Sequence, residues 1–380
     1  MRTRLGSLIP LHCIDAGVGH TFLSLNRSML QDLDVSIVAP SCEADLRSEK
    51  FIEAVPKFLQ GVCYKFPRVP KFVAEKRFIS LLGGFDAAYL FPGCSQGLLA
   101  SLAKSNKPVF AERINCHTGT AKRILDEAYD RLGLPPQHGI TAEWAEQETE
   151  QLSMVDFVFC PSFEVEKSFE EEGLPSRKLI RSSYGWSPNR FPNLPVVRTY
   201  DPSKPCTFLF VGYLCVRKGT HLLLRAWEKA RPNGTLVLCG NIEPAIEQTC
   251  GEILSRPDVF WHQPSPDVGR LYRQADVFVF PSLEEGSPLV TYEAMAHGLP
   301  VLVSPMGSGG IARDGIDGLV ISPYDEEKWI EALRKLSTDV SLRRHFGESA
   351  RKRAEQFTWE RVGRRRAAEI VKRVELAACA

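Results

Sequence analysis

The chain has 380 residues, of which 44% are hydrophobic and 24% are charged, and its formal net charge is +1. A chain of this length exceeds one ordinary core, so we expect two domains, and the near-neutral charge gives no strong field that would favour nucleic acid as a partner. The eleven cysteines include no C-x-x-C pair, which is typical of reduced thiols in a cytoplasmic protein. No stretch reaches the roughly 20 apolar residues that a membrane span needs.

Short apolar runs alternate with amphipathic stretches of helix length in the first half of the chain. This alternation is typical of a doubly wound α/β domain. The predicted strands are residues 8–11, 35–38, 87–91, 109–111 and 157–160. Residues 191–205 then contain four prolines among mixed polar residues, so we expect a linker there and a first domain over residues 1–190.

The same alternation continues in the second half. The predicted strands are residues 208–211, 236–239, 259–262, 277–280, 301–303 and 319–321, and the predicted helices are 220–230, 243–255, 268–275 and 288–297. We therefore expect a second parallel sheet with helices on both faces, in a domain over residues 206–355. A final helix, within residues 356–380, follows another break in the pattern.

One short pattern occurs in both halves. Asp156 precedes four apolar residues and Pro161-Ser162, and Asp276 stands at the same distance before Pro281-Ser282. The echo indicates two related units, each with a strand that ends at the binding edge of its domain.

Two glutamates, Glu285 and Glu293, lie in the segment PSLEEGSPLVTYEAMAHGLPV, residues 281–301. Apolar β-formers precede the turn and a proline suits the first turn of a helix, so we predict strand, turn and helix in that order. The unpaired N–H groups at the helix start, those of Leu289 and Val290, could hold phosphate. A carboxylate on either side could bind the hydroxyl groups of a ribose and of a sugar. The segment therefore suits a nucleotide diphosphate sugar.

A second group of candidate phosphate contacts follows the predicted strand 208–211. Arg217 and Lys218 stand in the loop after that strand. Two cations there could neutralise a diphosphate and the charge that grows on it as a glycosidic bond breaks. Gly212, at the end of the strand, completes this set of candidate donor-binding residues.

Three further segments join the glutamate pair in a resemblance to one family. They are FLFVGYLCVRKGTHLLL (208–224), GLPVLVSPMGSGGIARDGIDGLV (298–320) and FTWE (357–360). In this order the four segments resemble the family 4 glycosyltransferases, retaining enzymes of the GT-B fold with an E-x7-E signature. The resemblance implies an α/β protein of two Rossmann-like doubly wound domains that face a cleft. It also implies an N-terminal domain on the acceptor side and a closing helix that packs back on that domain.

The resemblance also implies roles for individual residues. Lys218 would contact the diphosphate, Glu293 the ribose and Glu285 the donor sugar, while His117 would face the sugar being transferred. Retention would come from same-face attack helped by the leaving phosphate, without a protein nucleophile. We therefore expect a nucleotide sugar donor and an acceptor hydroxyl as the two substrates.

Two departures from the family pattern leave alternatives open. Tyr213 stands where an arginine is usual, and no acidic residue lies near Gly310. A catalytically idle sugar- or nucleotide-binding protein on the same fold is one alternative. Another is an NAD-dependent oxidoreductase, which needs the fingerprint G-x-G-x-x-G. Gly17 and Gly19 follow the first predicted strand and are candidate donor-binding residues, but the third glycine of the fingerprint is missing.

Neither a metal nor a cofactor is expected. The one D-x-D motif, Asp32 and Asp34, precedes a predicted strand, whereas a metal-bound diphosphate needs carboxylates at the carboxyl end of a strand. Together with the resemblance, which implies a hexosyltransferase, this predicts a metal-independent enzyme, and its acceptor, sugar and nucleobase stay unidentified. Residues 64–78 mix five basic side chains with aromatic ones, which favours a weak peripheral membrane contact.

Overall fold

The computed structural model describes residues 2–43, 50–66, 68–194, 198–201 and 203–378. In the N-terminal half, parallel strands alternate with helices. They are β1 (Arg4–Leu8), α1 (Gly17–Met29), β2 (Asp34–Ala39), β3 (Phe51–Glu53), α2 (Lys57–Cys63), α3 (Arg68–Leu81), β4 (Ala87–Leu90), α4 (Gln96–Ala103), β5 (Val109–Glu112), α5 (Thr118–Arg131), α6 (Ala142–Ser153), β6 (Phe157–Cys160), α7 (Phe163–Glu171) and β7 (Leu179–Arg181). The sheet has the order β3-β2-β1-β4-β5-β6-β7.

The C-terminal half repeats this architecture and ends in three helices. Its elements are β8 (Cys206–Val211), α8 (Thr220–Ala230), β9 (Gly234–Cys239), α9 (Pro244–Leu254), β10 (Val259–His262), α10 (Val268–Gln274), β11 (Val277–Phe280), α11 (Leu289–Ala296), β12 (Val301–Val303), β13 (Gly318–Val320), α12 (Glu326–Thr338), α13 (Val340–Ala354) and α14 (Trp359–Ala378). The sheet order is β10-β9-β8-β11-β12-β13.

The strand order of each sheet reverses at one point, between β1 and β4 and between β8 and β11. All the strands pair in parallel, so the loops at their carboxyl ends share one edge, and ligands of such sheets bind in the crevice at the reversal. The apolar run of β11, VFVF, is fully buried, as expected for a strand covered on both faces. The sheet thereby brings the loops after β8 and β11 side by side.

The two aspartates of the echoed pattern make equivalent hydrogen bonds. The carboxylate of Asp156, just before β6, accepts the N–H of Val109 on the neighbouring strand at 2.8 Å. The carboxylate of Asp276, just before β11, accepts the N–H of Thr207 on β8 at 2.8 Å. Each aspartate therefore ties the start of its own strand to the start of the adjacent strand.

The predicted strand at residues 8–11 is wrong, because the first strand is β1 and ends at Leu8. Pro10 has no N–H for a sheet ladder. The true strand, β1, begins with Arg4 and includes Gly6, so it lacks the apolar run on which the prediction depended. Gly6 is needed there because a Cβ would clash with the ring of Phe85. The short edge strands β3 and β7 were missed, since three residues are too few for a periodicity. The other predicted strands agree with the structure within two residues at each end.

The last helix, α14, packs against α1 of the N-terminal half. Gly363 allows the close approach, because a Cβ there would clash with Ser28. The chain crosses between the two halves near Trp186 and again near Phe357, and these two segments are hydrogen-bonded to each other. The backbone N–H of Trp186 donates to the carbonyl oxygen of Phe357, and that of Trp359 donates to the carbonyl oxygen of Trp186, each at 3.1 Å. Domain limits at residues 190, 206 and 356 stay a prediction. No helix within the described ranges is long and apolar enough to cross a bilayer.

Candidate active site

The loops after β8 and β11 lie in contact at the carboxyl edge of the C-terminal sheet. The N–H of Leu283 donates to the carbonyl oxygen of Arg217 at 2.9 Å. Gly219 has a φ of +68°, and a Cβ there would clash with the carbonyl oxygen of Pro281. Only glycine combines this left-handed backbone with so close an approach. The glycine after Arg217 and Lys218 thus holds the basic loop against the acidic one.

Two ion pairs join these loops. Nζ of Lys218 contacts Oε1 of Glu285, and Nη1 of Arg217 donates to Oε2 of Glu284 at 3.0 Å. Burial, together with the nearby charge of Arg217, acts to lower the pKa of Lys218, while the contact with Glu285 favours its charged form. Both cations are held by carboxylates that an anionic ligand would have to displace, since charge-assisted hydrogen bonds to phosphate use the same donors.

Glu293 lies on α11 with its carboxylate held by two partners. Its Oε2 accepts a hydrogen bond from the hydroxyl of Tyr272 at 3.0 Å, and its Oε1 accepts one from Arg190 at 3.1 Å. The side chain of Glu293 is 8% exposed, whereas that of Arg190 is 50% exposed. Burial raises the pKa of Glu293. A ligand with hydroxyl groups can therefore replace the exposed Arg190 while Tyr272 keeps the carboxylate in position.

The start of α11 stands next to this acidic loop. Leu289 and Val290 are its first two residues, and the first N–H groups of a helix have no acceptor within it. Thr291 donates its hydroxyl to the carbonyl oxygen of Gly307 at 2.8 Å, which ties the helix start to the loop after β12. The positive end of the helix dipole therefore lies only a few residues along the chain from Glu285.

His117 is enclosed in the N-terminal domain. It is fully buried and caps α5, where its Nδ1 accepts the N–H of Gly119 at 3.1 Å. The Nε2 of its ring lies 3.0 Å from the hydroxyl of Thr149. The backbone N–H of His117 donates to the hydroxyl of Ser168 at 2.9 Å. Burial lowers its pKa. Both ring nitrogens thus have partners inside the domain, and a role of His117 at the transferred sugar stays a prediction.

The candidate glycines lie at the reversal points of the two sheets. Gly17 opens α1 after β1 with a φ of +51°. A Cβ on Gly19 would clash with the carbonyl oxygen of Ile14, so the loop folds tightly over the helix start. Gly212 directly follows β8, and the next residue, Tyr213, is 47% exposed. Position 213 is thus a tyrosine and supplies no cation. Within the described loop after β8, the basic side chains are those of Arg217 and Lys218.

The acidic loop also contacts the N-terminal domain. A Cβ on Gly286 would clash with the carbonyl oxygen of Ile114, and Sγ of Cys116 lies 3.5 Å from Oε1 of Glu284. These contacts and that of Arg190 with Glu293 are the parts of the site that sequence reasoning missed. The partners are more than 100 residues apart in the chain, so no local signal could have paired them.

A cavity of about 450 Å³ opens between the two domains beside this loop. Trp144 and Tyr213 line it and are 55% and 47% exposed. Its carboxylates, Glu243 and Glu284, already accept hydrogen bonds from protein donors. The remaining polar lining includes the amide side chains of Asn115 and Gln137. Aromatic faces and neutral amides together suit a ligand that carries both apolar surface and hydroxyl groups.

A segment of the C-terminal half matches a known sequence family. Residues 205–339 match the family model of the glycosyl transferases group 1. This segment contains β8, α11 and both loops of the candidate site. The resemblance to glycosyltransferases is therefore confirmed for the domain, while the narrower assignment to family 4 stays a prediction.

Curated relatives match about two fifths of the chain. A D-inositol 3-phosphate glycosyltransferase from Paenarthrobacter aurescens is 33% identical over 167 residues, 40% of this chain and 40% of that protein. An uncharacterized glycosyltransferase from Methanocaldococcus jannaschii is 30% identical over 164 residues, 41% of this chain and 42% of that protein. The chain thus matches about two fifths of the length of these relatives.

Solved structures match almost the whole chain. Sucrose-phosphate synthase from Thermosynechococcus elongatus has a TM-score of 0.73 at 20% identity, covering 99% of this chain and 100% of that one. HepE from Anabaena, in complex with UDP and glucose, has a TM-score of 0.67 at 14% identity, covering 98% of this chain and 100% of that one. At such identities the likeness concerns the fold, and it confirms the two Rossmann-like domains of the GT-B architecture.

Proposed function

We propose that this protein is a retaining glycosyltransferase of the hexosyl class, which moves a sugar from a nucleotide diphosphate sugar to an acceptor hydroxyl without a metal ion. The observation that carries the proposal is the pairing of Arg217 and Lys218 with Glu284 and Glu285 at the start of α11. This set offers cations, free N–H groups and carboxylates at one sheet edge, which are the groups that a nucleotide sugar needs.

In the proposed reaction the donor diphosphate takes over the cations. Lys218 leaves Glu285 for the diphosphate, and the start of α11 supplies backbone N–H groups and a positive dipole end. These donors stabilise the negative charge that develops on the leaving diphosphate. Glu285, freed from Lys218, then accepts hydroxyl groups of the donor sugar.

Glu293 is the proposed ribose contact. Its carboxylate would exchange the exposed Arg190 for the ribose hydroxyl groups, and the hydrogen bond from Tyr272 would fix its orientation. Because the group is buried and already desolvated, each exchanged hydrogen bond forms without a new desolvation of the carboxylate. A retaining reaction would use same-face attack by the acceptor, with the leaving phosphate as the proton acceptor.

The acceptor is proposed to enter the cavity of about 450 Å³ beside Glu284. The exposed rings of Trp144 and Tyr213 offer flat apolar faces, which suit the apolar face of a sugar ring. HepE was solved with UDP and glucose, and its shared fold supports a nucleotide sugar as the donor here. The expected absence of a metal stays part of the proposal.

A thermal-shift panel of UDP, GDP, ADP, dTDP and NAD tests the donor site. A ligand at ~100-fold its Kd adds about 2.7 kcal/mol to the free energy of unfolding. We expect one nucleoside diphosphate to stabilise the wild type and the control Glu331→Ala, on the exposed face of α12, but not Glu293→Ala. Failure of every nucleoside diphosphate would contradict a donor site at Glu293.

The same panel separates the alternatives. Stabilisation by NAD alone would indicate an oxidoreductase. Binding of a nucleoside diphosphate without slow hydrolysis of its sugar donor would favour an idle binding protein, the alternative that Tyr213 and Gly310 leave open. Slow donor hydrolysis in the absence of acceptor would support the transferase.

A peripheral membrane contact is also proposed, on the surface formed by α2 and α3. Residues 57–81 contain six lysines and arginines and one acidic residue, Glu75, which is buried. No side chain of α2 is buried, and Phe58, Phe66 and Phe72 are 82%, 59% and 58% exposed. Exposed aromatic side chains among unopposed cations suit an anionic lipid surface.

This surface adjoins the cleft. Tyr64, between α2 and α3, packs edge-on against His12 in the loop after β1, with ring centroids 6.1 Å apart. That loop leads to Gly17 at the reversal point of the N-terminal sheet. A membrane-bound protein would thus turn the acceptor side of its cleft toward the lipid. A cytoplasmic location is proposed as well, because the ten cysteines of the described residues are free thiols.

A further inference from the structure

A second interdomain cavity, of about 300 Å³, lies against α14. Its lining comes from both domains and includes Ser182 after β7 and Gly310 after β12. Neither Lys218 nor either glutamate of the candidate active site lines it. Four of its lining side chains are arginines and one is acidic, so the cavity is strongly basic although the whole chain is nearly neutral.

Most of the charged lining residues are already compensated. Within the described ranges, three of the five have partners of opposite charge: Arg181 pairs with Glu166, Arg366 with Glu112 and Glu369 with Arg373. The remaining two, Arg353 and Arg365, form no ion pair with any described carboxylate. The unbalanced charge of the cavity therefore resides in these two guanidinium groups.

Arg353 and Arg365 both pack on the ring of Phe357, with guanidinium carbons 4.8 and 5.3 Å from its centroid. Burial lowers the pKa of both groups, and the charges of Arg361 and Arg353 lower that of Arg365 further. Two like charges beside one ring repel each other, and an anion bound between them would offset that repulsion.

Hydrogen-bond donors remain available in the same place. Each guanidinium has five N–H groups. Arg353 donates one to the carbonyl oxygen of Ile311 at 3.1 Å, and Arg365 donates one to that of Gln356 at 3.0 Å. Nε of Arg366 is buried and has no hydrogen-bond partner. An anion in the cavity would find several donors from forked cationic groups.

We propose that this cavity binds a phosphate group, free or as a phosphomonoester, between Arg353 and Arg365. Forked guanidinium groups bind phosphate oxygens through paired, charge-assisted hydrogen bonds. Because the lining belongs to both domains and to α14, the bound anion would favour this arrangement of the domains over a more open one. The site would thus couple the ligand to the geometry of the cleft, although it lies outside the cleft's donor contacts.

Isothermal titration at constant ionic strength tests the site, with inorganic phosphate and glycerol 3-phosphate as separate probes. We expect at least one probe to bind the wild type. The variant R353Q/R365Q should bind it at least tenfold more weakly, because it removes two charge-assisted contacts. The matched variant K352Q/R364Q, which removes two exposed charges from the same helices, should bind as the wild type does. K218A, in the candidate donor site, should also keep the binding.

The outcomes distinguish the sources of the phosphate. Tighter binding of glycerol 3-phosphate than of inorganic phosphate would indicate a phosphomonoester, and the reverse order would indicate the free ion. If R353Q/R365Q has a lowered Tm without ligand, the single variant R365Q replaces it and should weaken the binding by about threefold or more, because it removes one of the two charge-assisted contacts. Unchanged binding in R365Q, loss of binding in K218A, or equal binding of chloride would each overturn the proposal.

Discussion

Lys218 and Glu285 form an ion pair between two loops that follow different strands of one sheet. The pair keeps both groups in position without a ligand, and in the proposed reaction a donor diphosphate would have to separate them. Under the proposed function, the same contact would both hold the site in position and open when the donor binds. We therefore expect the loss of Lys218 and the loss of Glu285 to affect the kinetics of the reaction differently.

Lys218→Ala should lower kcat by ~10²-fold or more, because the lysine would stabilise charge that develops only in the transition state. Steady-state kinetics with the donor found by the thermal-shift panel measures this. Lys328→Ala, which removes a lysine 69% exposed on α12, is the control and should change neither constant. An unchanged kcat with a raised KM would mean that Lys218 only binds the donor.

Gly219→Ala should reduce both stability and turnover, since the added Cβ would push the basic loop away from Pro281. Gly315→Ala is a matched control, because Gly315 has the same φ of +68° but no atom near the position of a Cβ. The loss of stability in Gly315→Ala therefore measures the cost of the left-handed backbone alone, which we expect to be about 1 kcal/mol. Equal losses of stability and kcat in the two variants, measured by urea unfolding and kinetics, would contradict the role given to this contact.

Glu112→Gln should lower the free energy of unfolding by about 3–5 kcal/mol, because it leaves the buried Arg366 of α14 without a compensating charge. Both side chains are almost completely buried, at 1% and 0% exposure. Glu360→Gln breaks a surface pair with Arg364 on the same helix and should cost less than about 1 kcal/mol. Similar midpoints in urea for the two variants would show that α14 does not depend on the buried pair.

Acidification should destabilise the fold through His297. This side chain is fully buried, its Nδ1 lies 2.7 Å from the carbonyl oxygen of Glu293, and burial lowers its pKa to about 4. The unfolded chain, with a histidine pKa near ~6.5, takes up the proton first. Stability is therefore complete above that pH and is lost as pH falls toward 4, by about 3 kcal/mol in total.

Urea unfolding at a series of pH values measures this slope. His297→Asn cannot take up the proton and should reduce the loss of stability between pH ~6.5 and ~4 by the share of His297, while His117 and His221, whose pKa values burial also lowers, keep their own shares. His345→Asn, at an exposed position of α13, should leave the slope as it is in the wild type. A slope that both variants share with the wild type would assign the acid sensitivity to other groups.

The double variant Phe58→Ser/Phe66→Ser should weaken binding to vesicles of phosphatidylglycerol and phosphatidylcholine by at least ~10-fold, because it removes apolar contact from the surface of α2 and α3. Co-sedimentation measures the bound fraction. Ile316→Ser/Leu376→Ser, which alters two exposed apolar residues elsewhere, is the control. Equal binding to vesicles of pure phosphatidylcholine, or unchanged binding of Phe58→Ser/Phe66→Ser, would contradict the proposed membrane contact.

The local part of the site could be predicted from the sequence because its determinants are adjacent in the chain. The run VFVF, the turn with Gly286 and the helix start at Leu289 follow from apolar runs, turn residues and helix signals. They correctly gave strand, turn and helix in that order. The pairing of the loop at Lys218 with the one at Glu285 was implied only through the parallel sheet, which sets both loops at one edge.

Only the tertiary structure decided which partners the site residues have. Arg190 on Glu293, Cys116 near Glu284, the enclosure of His117 and the contact of α14 with α1 each join segments far apart in the chain or bury a side chain that residue type leaves open. Local periodicity reports which face of an element is apolar, but it carries no information on which distant loop shares its edge. That choice is made when the two sheets and α14 pack together, because packing is a property of the whole chain.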